Sequence, residues 1–190
     1  MYEDILRTAP IWTSTGAAVL SAALTFSEST AGPASLVSLA AGACGAAGDL
    51  VAYLLKRFVF KPMYDATGKT VLPILGQGPR PAGARNCGGW LRHSGSSKDK
   101  GHLVSYGMPS GHSAHMWAML AFVLDVMLAS SAELSSTWWW AAAFLAVITV
   151  AVSWSRVNMG CHTWGQVFWG AGLGCALGSA AAAVLTPLNI

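Results

Sequence analysis

The stretch His162–Leu185 reads HTWGQVFWGAGLGCALGSAAAAVL, 24 residues without a single Asp, Glu, Lys or Arg. A helix needs roughly 20 apolar residues to cross the hydrocarbon core of a bilayer. Pro187 stops the run just beyond its end. Gly170, Gly174 and Gly178 recur every four residues and share one helix face, the small-xxx-small pattern by which membrane helices approach closely. Gly170-x-Gly172 in the same run is no dinucleotide fingerprint, because no strand precedes it.

Working outward, four more segments qualify as spans: Pro10 to Ser27, Pro33 to Leu55, Pro109 to Ser131 and Trp138 to Trp154. Across 190 residues, 54% are hydrophobic and only 10% charged, against about 25% charged in soluble domains. The mean hydropathy is +0.49. These values exclude a disordered chain, a nucleic-acid-binding module and an ordinary cytosolic enzyme. They predict an all-α fold, a polytopic transmembrane bundle of about five to six helices in a single domain over 1–190. Glu3 and Asp4 against Arg7 make a poor secretory signal, so the first segment is expected to be retained. Trp138-Trp139-Trp140 reads as an interfacial aromatic belt, with a plain core cluster as the alternative.

The spans alternate across the bilayer, so the polar stretch 61–108 and the connection 155–161 share one side. All 11 Lys and Arg fall on that side or at its boundary, while the opposite loops carry only Glu28 and Glu133. One face is therefore strongly basic and its partner is expected to be anionic. The positive-inside rule assigns that face to the cytoplasm. Cys44, Cys87, Cys161 and Cys175 show no C-x-x-C spacing, so neither a disulfide framework nor a zinc site is expected.

Three clusters fall on the basic face: Gly78-Pro79-Arg80-Pro81, Met108-Pro109-Ser110-Gly111-His112-Ser113, and Ser155-Arg156 through His162. Pro109 suits a first helical turn. The amides of Ser110, Gly111 and His112 would then form an anion cradle at a helix N-terminus. Gly111 lets a ligand come close to the backbone. Arg80 and Arg156 can grip phosphate oxygens through their fixed forks of donors. Two histidines supply a nucleophile and an acid for phosphoryl transfer. Taken singly, each cluster has a bland reading: a loop Arg-Pro, a helix cap, interfacial anchors. Their placement on one membrane face joins them.

Arg80-Pro81, Pro109-Ser110-Gly111-His112 and Ser155-Arg156-(five residues)-His162 resemble the three signatures of the type 2 phosphatidic acid phosphatase superfamily, over about 56–170. The resemblance implies an integral-membrane, metal-independent phosphatase of lipid phosphates and diphosphates, with no cofactor. It implies His162 as a nucleophile forming a phosphohistidine, and His112 as the general acid. Arg80, Arg156, Ser110, Gly111 and a lysine would bind the phosphoryl oxygens. A neutral nucleophile and a protonated acid predict a bell-shaped pH profile.

Two positions depart from the family pattern. The family's lysine seven residues before Arg80 is here Pro73; Lys56 is the favoured substitute, with Lys61 and Lys69 as alternatives. Gln166 stands four residues after His162, where the family usually has Asp. It can accept a hydrogen bond but supplies no charge. His162-Thr163-Trp164-Gly165-Gln166-Val167, Met108 and Met116-Trp117 are similar to the dolichyl-diphosphate phosphatase branch, which implies a polyprenyl diphosphate substrate. That branch works on the lumenal side of the endoplasmic reticulum, so sidedness stays open.

Other ionisable groups carry less. His115 lies three residues after His112 without a carboxylate cluster, and no metal site is expected. Asp49 and Asp125 lie within spans, where a charge is costly. Asp125 is expected to be structural. The expected partners are a lipid phosphate and membrane lipids, with no nucleic acid. The alternatives are a broad phosphatidate phosphatase and a non-catalytic lipid-phosphate-binding membrane protein.

Overall fold

The computed structural model describes residues 31–67, 78, 80–81, 106–130 and 136–188. Among them every regular element is helical. Helix α1 (Ala31–Leu55) passes through a π-helical turn (Lys56–Phe60) into α2 (Lys61–Thr67) without a break. Then come α3 (Gly111–Ala129), α4 (Ser136–Asn158) and α5 (Trp164–Leu185), closed by a 3-10 turn (Thr186–Leu188). Four helices are long and apolar enough to cross a membrane: 36–67, 111–129, 138–158 and 164–185. The chain is thus an integral, multi-pass membrane protein. Four of the five expected spans are present; the segment 10–27 lies outside the described residues.

The bundle is built around α3, which packs against α1, α4 and α5. Helices α3 and α5 run parallel in fixed register: Gly170 faces Ser110, Gly174 faces Ala114, and Gly178 faces Ala118. A methyl group at position 174 would sit 2.9 Å from the Ala118 nitrogen and 3.0 Å from the Trp117 Cβ. The glycine stripe therefore sets how close the two backbones come. Helix α1 lies antiparallel to both, with Val37 and Ala41 packed against Phe122 and Ala182 at the far end and Gly48 against Ala114 nearer the site. Met116 and Val152 join α3 to α4, where the Trp117 indole N–H also donates to Ser153 Oγ at 3.1 Å.

Polarity is arranged inside-out. Leu128, Phe144, Val147 and Val184 face outward, whereas Arg156, His162 and Gln166 are buried. Trp139 and Trp140 are exposed, as an interfacial belt requires, while Trp138 leans against the core. This geometry suits a lipid solvent, in which polar groups are stable only within the protein.

Three helix boundaries move from expectation, and all matter for the site. Helix α4 continues four residues past Trp154, which places Arg156 in its last turn. Helix α5 starts at Trp164, so His162 precedes it. Pro109 also lies outside its helix: Ser110 is the N-cap of α3, and the Met108–Pro109 bond is cis.

Candidate active site

Helix α4 ends in a Schellman motif. Gly160 takes φ 65°, its N–H donates to Val157 O at 2.9 Å, and the Cys161 N–H donates to Arg156 O at 2.9 Å. Glycine reaches that left-handed conformation without steric cost. The His162 N–H donates to the same Arg156 oxygen at 3.0 Å. Arg156 therefore anchors the turn that carries His162 through its carbonyl, while its guanidinium stays buried beside the imidazole.

The next residue begins α5. Thr163 and Gln166 form a capping box: Gln166 N–H donates to Thr163 Oγ1 at 3.3 Å and Thr163 N–H donates to Gln166 Oε1 at 3.2 Å. The same Oε1 lies 3.2 Å from His162 Nδ1. An atom that accepts the Thr163 amide is the carboxamide oxygen, so Nδ1 carries the proton and Nε2 keeps its lone pair. Gln166 thus holds the tautomer, by a different geometry from the one expected. The pair meets because the N3 side chain of a cap folds back over its own N-terminus, not because two residues share a helix face.

The second cluster is stitched to the third. Ser110 N–H donates to Gln166 O at 3.0 Å, and Ser113 Oγ donates to Ser110 Oγ at 3.2 Å. Ser110 is fully buried and its amide is committed to Gln166 O, so that amide is not available to the anion cradle expected of it. The first cluster is stitched to the second in turn. Gly78, at φ 142°, accepts Gly107 N–H on its carbonyl at 3.0 Å.

These links bring the expected residues together. Arg80, Lys56, Arg156 and His112 all act electrostatically on His162. Its pKa is pushed well below 6.5, first by burial and then by those four cationic groups. The imidazole is therefore neutral at physiological pH. Nε of Arg80 and Nε and Nη1 of Arg156 are buried and make no hydrogen bond within the chain, although both residues hold other interactions. Among the candidate lysines, Lys56 opens the π turn and lies within electrostatic range of His162, whereas Lys61 is bound to Asp65. Lys69 lies outside the described residues. π turns of this kind recur at functional sites. No group of three or more His, Cys, Asp or Glu that could hold a metal occurs among the described residues.

Three neighbours of the site were not singled out for it by the sequence. A side chain at Gly107 would run into the Gln166 carboxamide. The Asp49 carboxylate fills the space where Gly111 lacks a side chain, and it senses Lys56. Its position within a span was the available signal. Cys161 is disulfide-bonded, while Cys44 and Cys175 are free. The expectation of no disulfide is thereby corrected: a bridge between residues distant in sequence leaves no local spacing to read.

A buried imidazole with one nitrogen held, within electrostatic range of four basic side chains at one end of a membrane bundle, suits phosphoryl chemistry. The family model of the PAP2 superfamily matches residues 37–189. The chain belongs to that superfamily, and with it to the lipid phosphatases. Mouse (Mus musculus) dolichyldiphosphatase 1 is 30% identical over 179 aligned positions, covering 75% of this chain and 70% of the relative. No solved structure matches the chain significantly.

Proposed function

We propose that the protein hydrolyses a polyprenyl diphosphate of the dolichyl type to the monophosphate, through a phosphohistidine on His162. The lipid tail lies in the bilayer and delivers the terminal phosphate to the buried rim. His162 Nε2 attacks phosphorus; the P–O bond to the inner phosphate breaks, and His112 gives the departing oxygen its proton. Water then attacks the phosphohistidine, the P–N bond breaks, and inorganic phosphate leaves. Lys56, Arg80, Arg156 and the start of α3 at Gly111 balance the charge on the transferring group, where phosphoryl transfer gains most. The chemistry requires no metal.

The observation that carries this reading is the convergence of Lys56, Arg80, Arg156 and His112 on an imidazole whose Nδ1 is held by Gln166. The likeness to mouse dolichyldiphosphatase 1 supports the diphosphate substrate, and the resemblance to the dolichyl-diphosphate phosphatase branch implies the endoplasmic reticulum as the compartment.

Phosphate release from detergent-solubilised protein, with a chelator present, tests it on polyprenyl diphosphate and on phosphatidate. Polyprenyl diphosphate is expected to give the higher kcat/KM. Equal rates favour a broad lipid phosphatase, and release from neither leaves a lipid-phosphate-binding protein. His162→Ala is expected to abolish turnover and leave membrane insertion intact. Retained activity in that variant refutes the nucleophile.

A further inference from the structure

Among the described residues, Asp49 is the acidic group that stands at the site. Asp65 is bound to Lys61, and Asp125 lies on α3 roughly 21 Å beyond Gly111 by helical rise. Asp49 Oδ1 occupies the room that Gly111 leaves by having no side chain, in the first turn of the helix assigned to the transferring phosphoryl group. A carboxylate oxygen therefore sits where the sequence leads one to expect a ligand. We infer that Asp49 is an internal competitor of phosphate at the start of α3, which weakens the hold of the site on the inorganic phosphate product and so speeds its release. The inference rests on the proposed hydrolysis and extends it to the step after the chemistry.

Backbone packing sets the placement. A methyl group at Gly48 would stand 2.8 Å from Ala114 O, and one at Gly45 would stand 2.7 Å from His115 Nε2. Both glycines close the seam between α1 and α3, so Asp49, the residue after Gly48, meets Gly111 in a set register. Asp49 also stays exposed in that contact. A carboxylate within a span is stable where a polar cleft or water reaches it, which assigns the group to the opening of the site.

Its charge acts on a crowded cationic pocket. Lys56 lies within electrostatic range of Asp49 as well as of His162. Lys56, Arg80, Arg156 and His112 suit the transition state of phosphoryl transfer, but they attract the departing inorganic phosphate for the same reason. Gln166 brings no charge from the α5 side to temper them. Release of product sets the turnover rate of many enzymes. A carboxylate against the α3 backbone opposes an anion there. The substrate overcomes that competition through its second phosphate and its lipid tail, which inorganic phosphate lacks.

Asp49→Asn removes the charge and keeps the shape. Titration of the detergent-solubilised variant with inorganic phosphate, followed by phosphorus NMR, should give a Kd about tenfold lower than that of the wild type, as the loss of one like charge beside a partly buried anion implies. Asp49→Glu retains the charge and should bind phosphate no more tightly than the wild type. An unchanged or raised Kd in Asp49→Asn overturns the inference, and so does a wild type and variant that both fail to bind phosphate. Tightening in Asp49→Glu overturns it as well, since the effect would then follow shape and not charge.

In turnover of polyprenyl diphosphate, inorganic phosphate should inhibit Asp49→Asn at about tenfold lower concentration, and kcat should fall as release slows. A merely structural carboxylate would lower the melting temperature and leave the inhibition constant alone. Should Asp49→Asn fail to fold, Asp49→Ser removes the charge with less bulk and is read in the same way. The binding titration needs no lipid, so the two readings fail separately. A wild type inactive on every lipid phosphate sinks the hydrolysis even where Asp49→Asn tightens phosphate. Full hydrolysis with an unmoved phosphate Kd sinks the role of Asp49 alone.

Discussion

Gln166 Oε1 accepts the Thr163 amide and holds the Nδ1 proton of His162, so one atom serves the helix cap and the nucleophile together. A carboxylate there would bind the same groups and would also stabilise the imidazolium. That difference gives a signed prediction. With Gln166, burial and four cations keep His162 neutral, and activity should survive acidification to well below pH 6.5. The acid limb marks protonation of the nucleophile, so Gln166→Glu should move that limb up toward neutral pH. A pH–rate profile of both proteins checks this; an unmoved limb removes Gln166 from contact with the His162 imidazole. Gly107 bears on the same carboxamide. Gly107→Ala would press a methyl group into the buried Gln166 amide. It should cost about tenfold to a hundredfold in kcat, the scale of a displacement near 1 Å, with the protein still folded by circular dichroism. The sequence revealed Gln166 as a departure from a pattern. It did not reveal Gly107, whose meaning depends on a side chain 59 positions away.

At the scale of elements, the spans were legible because lipid demands long apolar runs and leaves them visible in one dimension. Their ends were less so, because caps decide them. The turn at Gly160 and the box at Thr163 exclude His162 from α5, and apolarity does not record either. The glycine stripe was legible as a face, and the structure adds its partner, the α3 backbone. Gly172 provides the control, since nothing lies within 4 Å of where its side chain would stand. Gly174→Ala should destabilise the bundle by about 1–3 kcal/mol through overpacking. Gly172→Ala should be neutral or slightly stabilising, because alanine favours helix over glycine. Thermal melts in one detergent, or resistance to SDS, compare the two. Equal losses would mean that helix chemistry, not the close approach of α3 and α5, sets the cost.

For the whole molecule, two physical rules oppose each other over which way the rim faces. The positive-inside rule sends 11 Lys and Arg to the cytoplasm. Lys56, Arg80 and Arg156 converge on the site and weigh less as topology signals, leaving Arg85, Arg92, Lys98 and Lys100 among those of the long loop. Against them stands the bridge at Cys161. Disulfides persist in oxidising compartments and are rare where glutathione keeps thiols reduced. A bias among loop charges is a statistical preference, whereas a thiol pair in a reducing compartment is held open by mass action. The rim is therefore expected to face the lumen of the endoplasmic reticulum. Gly95→Asn tests this with one change, since Ser96-Ser97 completes an acceptor for N-linked glycan and the chain has no other Asn-x-Ser/Thr. In sealed microsomes the variant should run slower by one glycan, return to its original mobility on deglycosylation, and resist trypsin at Lys98 and Lys100 until detergent is added. An unmodified chain cut at those lysines from outside the vesicle would place the rim in the cytoplasm and leave the bridge at Cys161 without a compartment to maintain it.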